Sequence, residues 1–104
     1  MISWDRVKEL RDEVGEDDFG EVVELFLEEV EEVIDRLRTA PDPAKFEDDM
    51  HFLKGCALNL GFETFSKICQ EGEKNAAQSN TDAVDVPGVI VAFESSKTEF
   101  MAHR

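Results

Sequence analysis

Apolar residues recur at steps of three and four along most of the chain, the spacing of one face of an α-helix. Val7, Leu10 and Val14 follow Trp4 in this way and predict a short first helix that Gly15 ends. A longer stripe comes next: Phe19, Val22, Val23, Phe26, Val30, Val33, Ile34 and Leu37 repeat over about five turns. Asp17 or Asp18 is placed to cap that helix. Glutamates fill its opposite face, and Arg36 and Arg38 close it where the helix dipole favours cations. Pro41-Asp42-Pro43 then interrupts the pattern, because proline cannot continue a helix interior.

A third helix carries Phe46, Met50, Leu53, Ala57 and Leu60, and Gly61 stops it. The fourth stripe begins at once, with Phe62, Phe65, Ile68, Cys69, Gly72 and Ala76. So short a connection makes these two helices an antiparallel hairpin. Residues Gln78 to Asp85 are polar and read as the loosest loop. Val89, Ile90, Phe93 and Phe100 form the last stripe, starting near Val86 with Pro87 in the first turn. Val89-Ile90-Val91 has strand-like composition, but a lone strand has no pairing partner here. The expected fold is all-α: an antiparallel up-down four-helix bundle with a short additional N-terminal helix, residues 1–104 forming one domain.

The 104 residues suffice for one modest core. Twenty-five acidic against 11 basic residues give a formal charge of −14, a surface that repels nucleic acid and anionic lipid, so neither is an expected partner. The 41% apolar content, arranged in stripes, argues against disorder. Cys56 and Cys69 fit neither a disulfide framework nor a zinc pattern and read as reduced thiols. The start of the chain lacks signal-peptide character, and no apolar run approaches membrane-helix length. The expectation is a cytoplasmic monomer.

The chemistry concentrates on the third helix. At about 100° per residue, His51 lies roughly 140° from the centre of that helix's core stripe, on its exposed side. Gly55 points almost directly away from the core, Lys54 flanks the ring one turn on, and Glu47, Asp48 and Leu58 share the exposed surface. Phe52 lies on the far flank. An unperturbed imidazole is mostly neutral near pH 7 and is then a competent nucleophile. Gly55 lowers helix stability by about 0.5–1 kcal/mol relative to alanine, which makes sense if a side chain there would obstruct an approaching partner. Leu58 and Phe52 offer that partner an apolar surface. A lone surface histidine usually does nothing; His51 with Lys54, Gly55 and the Gly61 stop is far more specific. His103, near the C-terminus, reads as an incidental residue of a frayed tail. Glu28-Glu29, Glu31-Glu32 and Asp48-Asp49 read as a solvated face rather than a metal site.

The run His51-Phe52-Leu53-Lys54-Gly55-Cys56-Ala57-Leu58-Asn59-Leu60-Gly61 resembles the signature of the histidine-containing phosphotransfer (HPt) family, H-x-L-K-G-S-[SA]-x-x-[LIF]-G. The long acidic helix before it, with Phe26-Leu27-Glu28-Glu29-Val30, and the amphipathic one after it extend the likeness over most of the chain. The resemblance implies that His51 accepts a phosphoryl group from the phospho-aspartate of a response-regulator receiver domain and passes it on. It implies no ATP site and no cofactor of the chain's own: the receiver's carboxylates and Mg²⁺ perform the phosphoryl transfer. By position, Lys54 stands near the phosphate, Gly55 gives clearance, and Asn59 and Leu60-Gly61 are structural. Glu47, Asp48, Phe52 and Leu58 are candidates for partner contact.

The chain departs from the signature at Cys56, where serine is usual; the wheel places Cys56 on the flank of the helix. Glu73 falls where some members carry a glutamine and is assigned no role. Two further readings stand beside the stand-alone carrier. One is the phosphoryl-accepting domain of a chemotaxis-type sensor histidine kinase, fed by ATP bound elsewhere; a chain running from Met1 to Arg104 without a trailing linker favours the free-standing protein. The other is a helical adaptor that docks partners without accepting phosphate.

Overall fold

Ser3 starts the first helix by accepting a hydrogen bond from the Arg6 backbone N–H, and Gly15 ends it at a φ of 90°. In the computed structural model, which describes residues 2–103, the helices are α1 (Trp4–Val14), α2 (Glu16–Thr39), α3 (Phe46–Leu60), α4 (Glu63–Ala77) and α5 (Val86–His103), and 87% of the described residues are helical, 3₁₀ turns included. α2 packs on α3, α3 on α4, α4 on α5, and α5 returns to α2, which closes a four-helix bundle; α1 packs on α2 and α3. The all-α bundle with an extra N-terminal helix is the expected fold.

Apolar stripes build the core as their spacing predicts. Val23, Val30, Ile34 and Leu37 of α2 meet Met50, Leu53, Ala57 and Leu60 of α3, with Phe65 and Cys69 of α4 and Val89, Phe93 and Phe100 of α5. Each fully buried large side chain contributes about 1.5–3 kcal/mol of transfer free energy. Leu27 is also buried, although it stood outside the α2 stripe, and so is Ile2, which bridges to Phe62 ahead of the first helix. Trp4 is partly exposed and stacks on Phe100, with ring centroids 5.9 Å apart.

Several local expectations are corrected. Neither Asp17 nor Asp18 caps α2, which begins at Glu16 without a side-chain cap. Gly15 reverses the chain within one residue, so helical geometry resumes before either aspartate; with Glu16 they occupy the first turn, where acids still meet the positive end of the dipole. The segment from Gln78 to Asp85 contains a 3₁₀ turn at Thr81–Ala83 and buries Val84, so it is less loose than its polarity suggests. His103 is the last residue of α5, and its ring meets the Trp4 ring edge-on at 6.3 Å.

The turn that matters most for the site joins α3 to α4. Gly61 takes a left-handed φ of 78° there. A Cβ on Gly61 would come within 2.7 Å of the Ser3 carbonyl oxygen, so close an approach that only glycine fits. Ser3 donates its N–H to the Gly61 carbonyl at 2.7 Å, which ties the start of α1 to the end of α3. Arg6 strengthens the tie by donating to the Asn59 backbone oxygen at 3.2 Å and to its side-chain oxygen at 3.3 Å.

Candidate functional site

α3 holds the site, and two ion pairs fix where it stands. At its N-terminal end Asp49 is buried and accepts a bidentate pair of hydrogen bonds from Arg36 of α2, at 2.6 and 2.9 Å. This corrects the reading of Asp48-Asp49 as a solvated face. Asp48 is exposed, but Asp49 turns inward because the α2 guanidinium compensates its charge. Two residues further, His51 projects outward with its side chain 71% exposed.

The His51 ring is nevertheless held in place. Its Nδ1 lies 2.8 Å from Oε2 of Glu73 on α4, and the other carboxylate oxygen of Glu73 takes Lys54 Nζ at 2.6 Å. Glu73 therefore bridges the histidine and the lysine. In the unphosphorylated protein the Lys54 ammonium is drawn to the carboxylate lying across the α3–α4 interface. Lys54 and Glu73 are both largely shielded from solvent, at 26% and 21% exposure.

The electrostatics settle which ring nitrogen is free. The hydrogen bond from Lys54 holds the Glu73 carboxyl below the usual carboxylate range; partial burial opposes this, and the hydrogen bond from His51 adds to it. An ionised carboxylate can only accept, so the proton between the two groups belongs to Nδ1. The neutral tautomer then carries its lone pair on Nε2, which points away from this anchor.

The surface around the ring is open. A Cβ added at Gly55 would have no neighbour within 4 Å. Glu47 and Asp48 are exposed on the preceding turn. Leu58, 58% exposed, lies nearly in line with His51 two turns on, beside a depression of about 260 Å³ lined by Ser3, Arg6, Phe62 and Glu63. Phe52, 39% exposed, stands on the other flank and lines a cleft of about 440 Å³ with Glu29, Glu32, Val33 and Arg36. Cys56 does not sit on the flank: it is buried, and desolvation pushes its thiol up to about 11, while Cys69 is pushed up to about 12. The position thus belongs to the core.

Glu73 is the functional candidate that sequence reasoning left without a role. Its signals were its place on the helix hairpinned to α3 and a position where some family members carry glutamine, and a helical wheel cannot report what crosses to a neighbouring helix. Among the described residues, no group of three or more His, Cys, Asp or Glu side chains is placed to hold a metal ion, and no helix is long and apolar enough to cross a membrane.

The site thus combines an exposed, anchored histidine with a helical bundle. The family model of the Hpt domain matches residues 21–97, and the chain belongs to that family. Hpt domains are phosphocarrier modules of phosphorelays rather than enzymes in the ordinary sense. Comparison with curated proteins and with solved structures gives no match. The matched span contains α3, α4 and most of α2 and α5, while α1 lies before it.

Proposed function

We propose that this protein carries a phosphoryl group on Nε2 of His51, taking it from the phospho-aspartate of a response-regulator receiver domain and passing it to another acceptor. The observation that carries this reading is the anchored ring: Nδ1 engaged by Glu73, the side chain 71% exposed, and no side chain at Gly55 to block an approach. A neutral imidazole fixed in one tautomer is a ready nucleophile whose orientation entropy is already spent. Lys54 stands one turn away and serves as the cation for the arriving phosphoryl oxygens. The receiver contributes its own carboxylates and Mg²⁺, so this chain needs no cofactor. Leu58, Phe52, Glu47 and Asp48 form the contact surface around the ring, acidic on the turn before it and apolar at Phe52 and Leu58.

The test is to mix the protein with a receiver domain already phosphorylated on aspartate, in the presence of Mg²⁺, and to follow label onto this chain. Acid-labile, base-stable label that disappears in His51→Gln is the expected result. Labelling only by a kinase domain with ATP would move the protein to the kinase-module reading. Absence of label from both sources, with binding intact, would make it a docking adaptor.

A further inference from the structure

We infer that Glu73 keeps the phosphorylated His51 ring protonated at Nδ1 and so holds the phosphoryl group in a readily transferred form instead of storing it. The inference rests on the carrier reading above and concerns how that site is poised. In the transfer to His51, the Nε2 lone pair forms the N–P bond as the P–O bond to the receiver aspartate breaks. The electron pair of that bond leaves with the carboxylate oxygen. No proton has to move, because the ring keeps its Nδ1 hydrogen and becomes a phospho-imidazolium with one positive charge.

That charge decides what happens next. When the phosphoryl group leaves the imidazolium, the departing group is neutral imidazole. If the Nδ1 proton is lost first, the departing group is an imidazolide anion, a much poorer one, and the N–P bond persists. Passing or storing phosphate thus turns on the one proton that Glu73 contacts at 2.8 Å. An anion in hydrogen-bond contact, itself only 21% exposed, favours the positively charged phosphorylated ring. Lys54 offsets part of this while it sits on Glu73. The phosphoryl dianion competes for the same ammonium, and as Lys54 turns to it more of the Glu73 charge is left to the ring.

The other charges facing this region do not replace Glu73. Glu47 and Asp48 on α3 are exposed, and so is Lys74 beside Glu73 on α4. From α2, Glu29 and Glu32 line the cleft next to Phe52, and the Arg36 guanidinium is committed to Asp49. Exposed charges at a distance are screened by water and salt, whereas Glu73 acts in contact.

The experiment uses the full chain with His103→Gln, so that His51 is the only histidine, phosphorylated chemically with phosphoramidate and needing no receiver. Ring ¹⁵N NMR follows the protonation midpoint of phosphorylated His51, and loss of phosphate is measured against pH. Glu73→Gln keeps the size and an acceptor oxygen but removes the charge; Glu73→Ala removes both, and thermal melts check that each variant is folded. The midpoint should fall by about one pH unit in Glu73→Gln. Above both midpoints, phosphate loss should then be roughly tenfold slower in the variant. Equal midpoints, or a higher one in Glu73→Gln, would overturn the inference. Uptake from a phosphorylated receiver is measured alongside: its absence would end the carrier reading even with the midpoints apart, so the two failures are told apart.

Discussion

Gly55 separates the demands of the helix from those of the partner, and replacing it tests both. Its backbone belongs to the interior of α3 and does not have a positive φ, and a Cβ there meets no atom within 4 Å. Nothing in the fold therefore requires glycine. Mid-helix glycine costs about 0.5–1 kcal/mol relative to alanine, so Gly55→Ala should stabilise the protein by that amount. For a domain of this size the melting temperature should rise by roughly 3–6 °C. Gly20 supplies the control: it lies inside α2, has equally open space, and sits 16 residues, about 24 Å, up the helix from Arg36, the residue that pairs with Asp49. Gly20→Ala should stabilise to a similar degree.

The two positions should part company with a long side chain. Glutamine is a good helix former, so Gly55→Gln and Gly20→Gln should both fold at least as stably as the parent. Gly55→Gln, however, places four heavy atoms beyond Cβ one turn from His51, in the space the proposed receiver would occupy. Transfer from a phosphorylated receiver should fall at least tenfold in kcat/KM, roughly 1.4 kcal/mol, while Gly20→Gln transfers normally. Circular-dichroism melts and single-turnover transfer give the two readouts. Destabilisation by Gly55→Ala would refute the open-space reading of α3. A stable Gly55→Gln that transfers at the parent rate would refute the clearance role.

Three further outcomes follow from the same structure. Gly61→Ala forces a left-handed φ and a clash with the Ser3 carbonyl, and should cost about 2 kcal/mol, read as a lower urea midpoint; an unchanged midpoint would mean that the α1–α3 tie is dispensable. Burial holds the Cys56 and Cys69 thiols at about 11 and about 12, so a thiol reagent at pH 8 should label them only as fast as the protein unfolds; rapid labelling of folded protein would contradict the buried placement. The Glu73 carboxyl is lowered in the folded state, so its ion pair contributes stability above the ordinary glutamate range and loses it as pH falls through the folded value. The stability gap between the parent and Glu73→Gln should accordingly close on acidification from pH 7 to pH 3, and a gap independent of pH would refute the pairing.

Much of the molecule was readable before any coordinate. The stripe from Phe46 to Leu60 placed Met50, Leu53, Ala57 and Leu60 in the core and turned His51 and Gly55 outward, and each lies so. Gly15 and Gly61 were read as stops and are helix boundaries with positive φ. Failures came where two helices share an interaction. Asp49 looked like half of an acidic pair on a solvated face until Arg36, 13 residues earlier, supplied its counter-charge. Cys56 looked lateral on a single wheel and proved buried once α4 lay against α3. The buried hydrophobic residues include Leu27 and Ile2, one beside the expected stripe and one ahead of the first helix, where periodicity has nothing to count.

That division has a plain cause. Helix type, helix ends and the direction of His51 depend on steps of about 100° and on the conformations open to glycine and proline, which are local and written residue by residue. What His51 touches depends on the distance across an interface. Glu73 lies 22 residues away in the chain, and its carboxylate meets the ring and Lys54 only because Gly61 folds α4 back along α3 at one register. The motif could therefore single out His51, while the assembled bundle alone decided which of its ring nitrogens Glu73 engages.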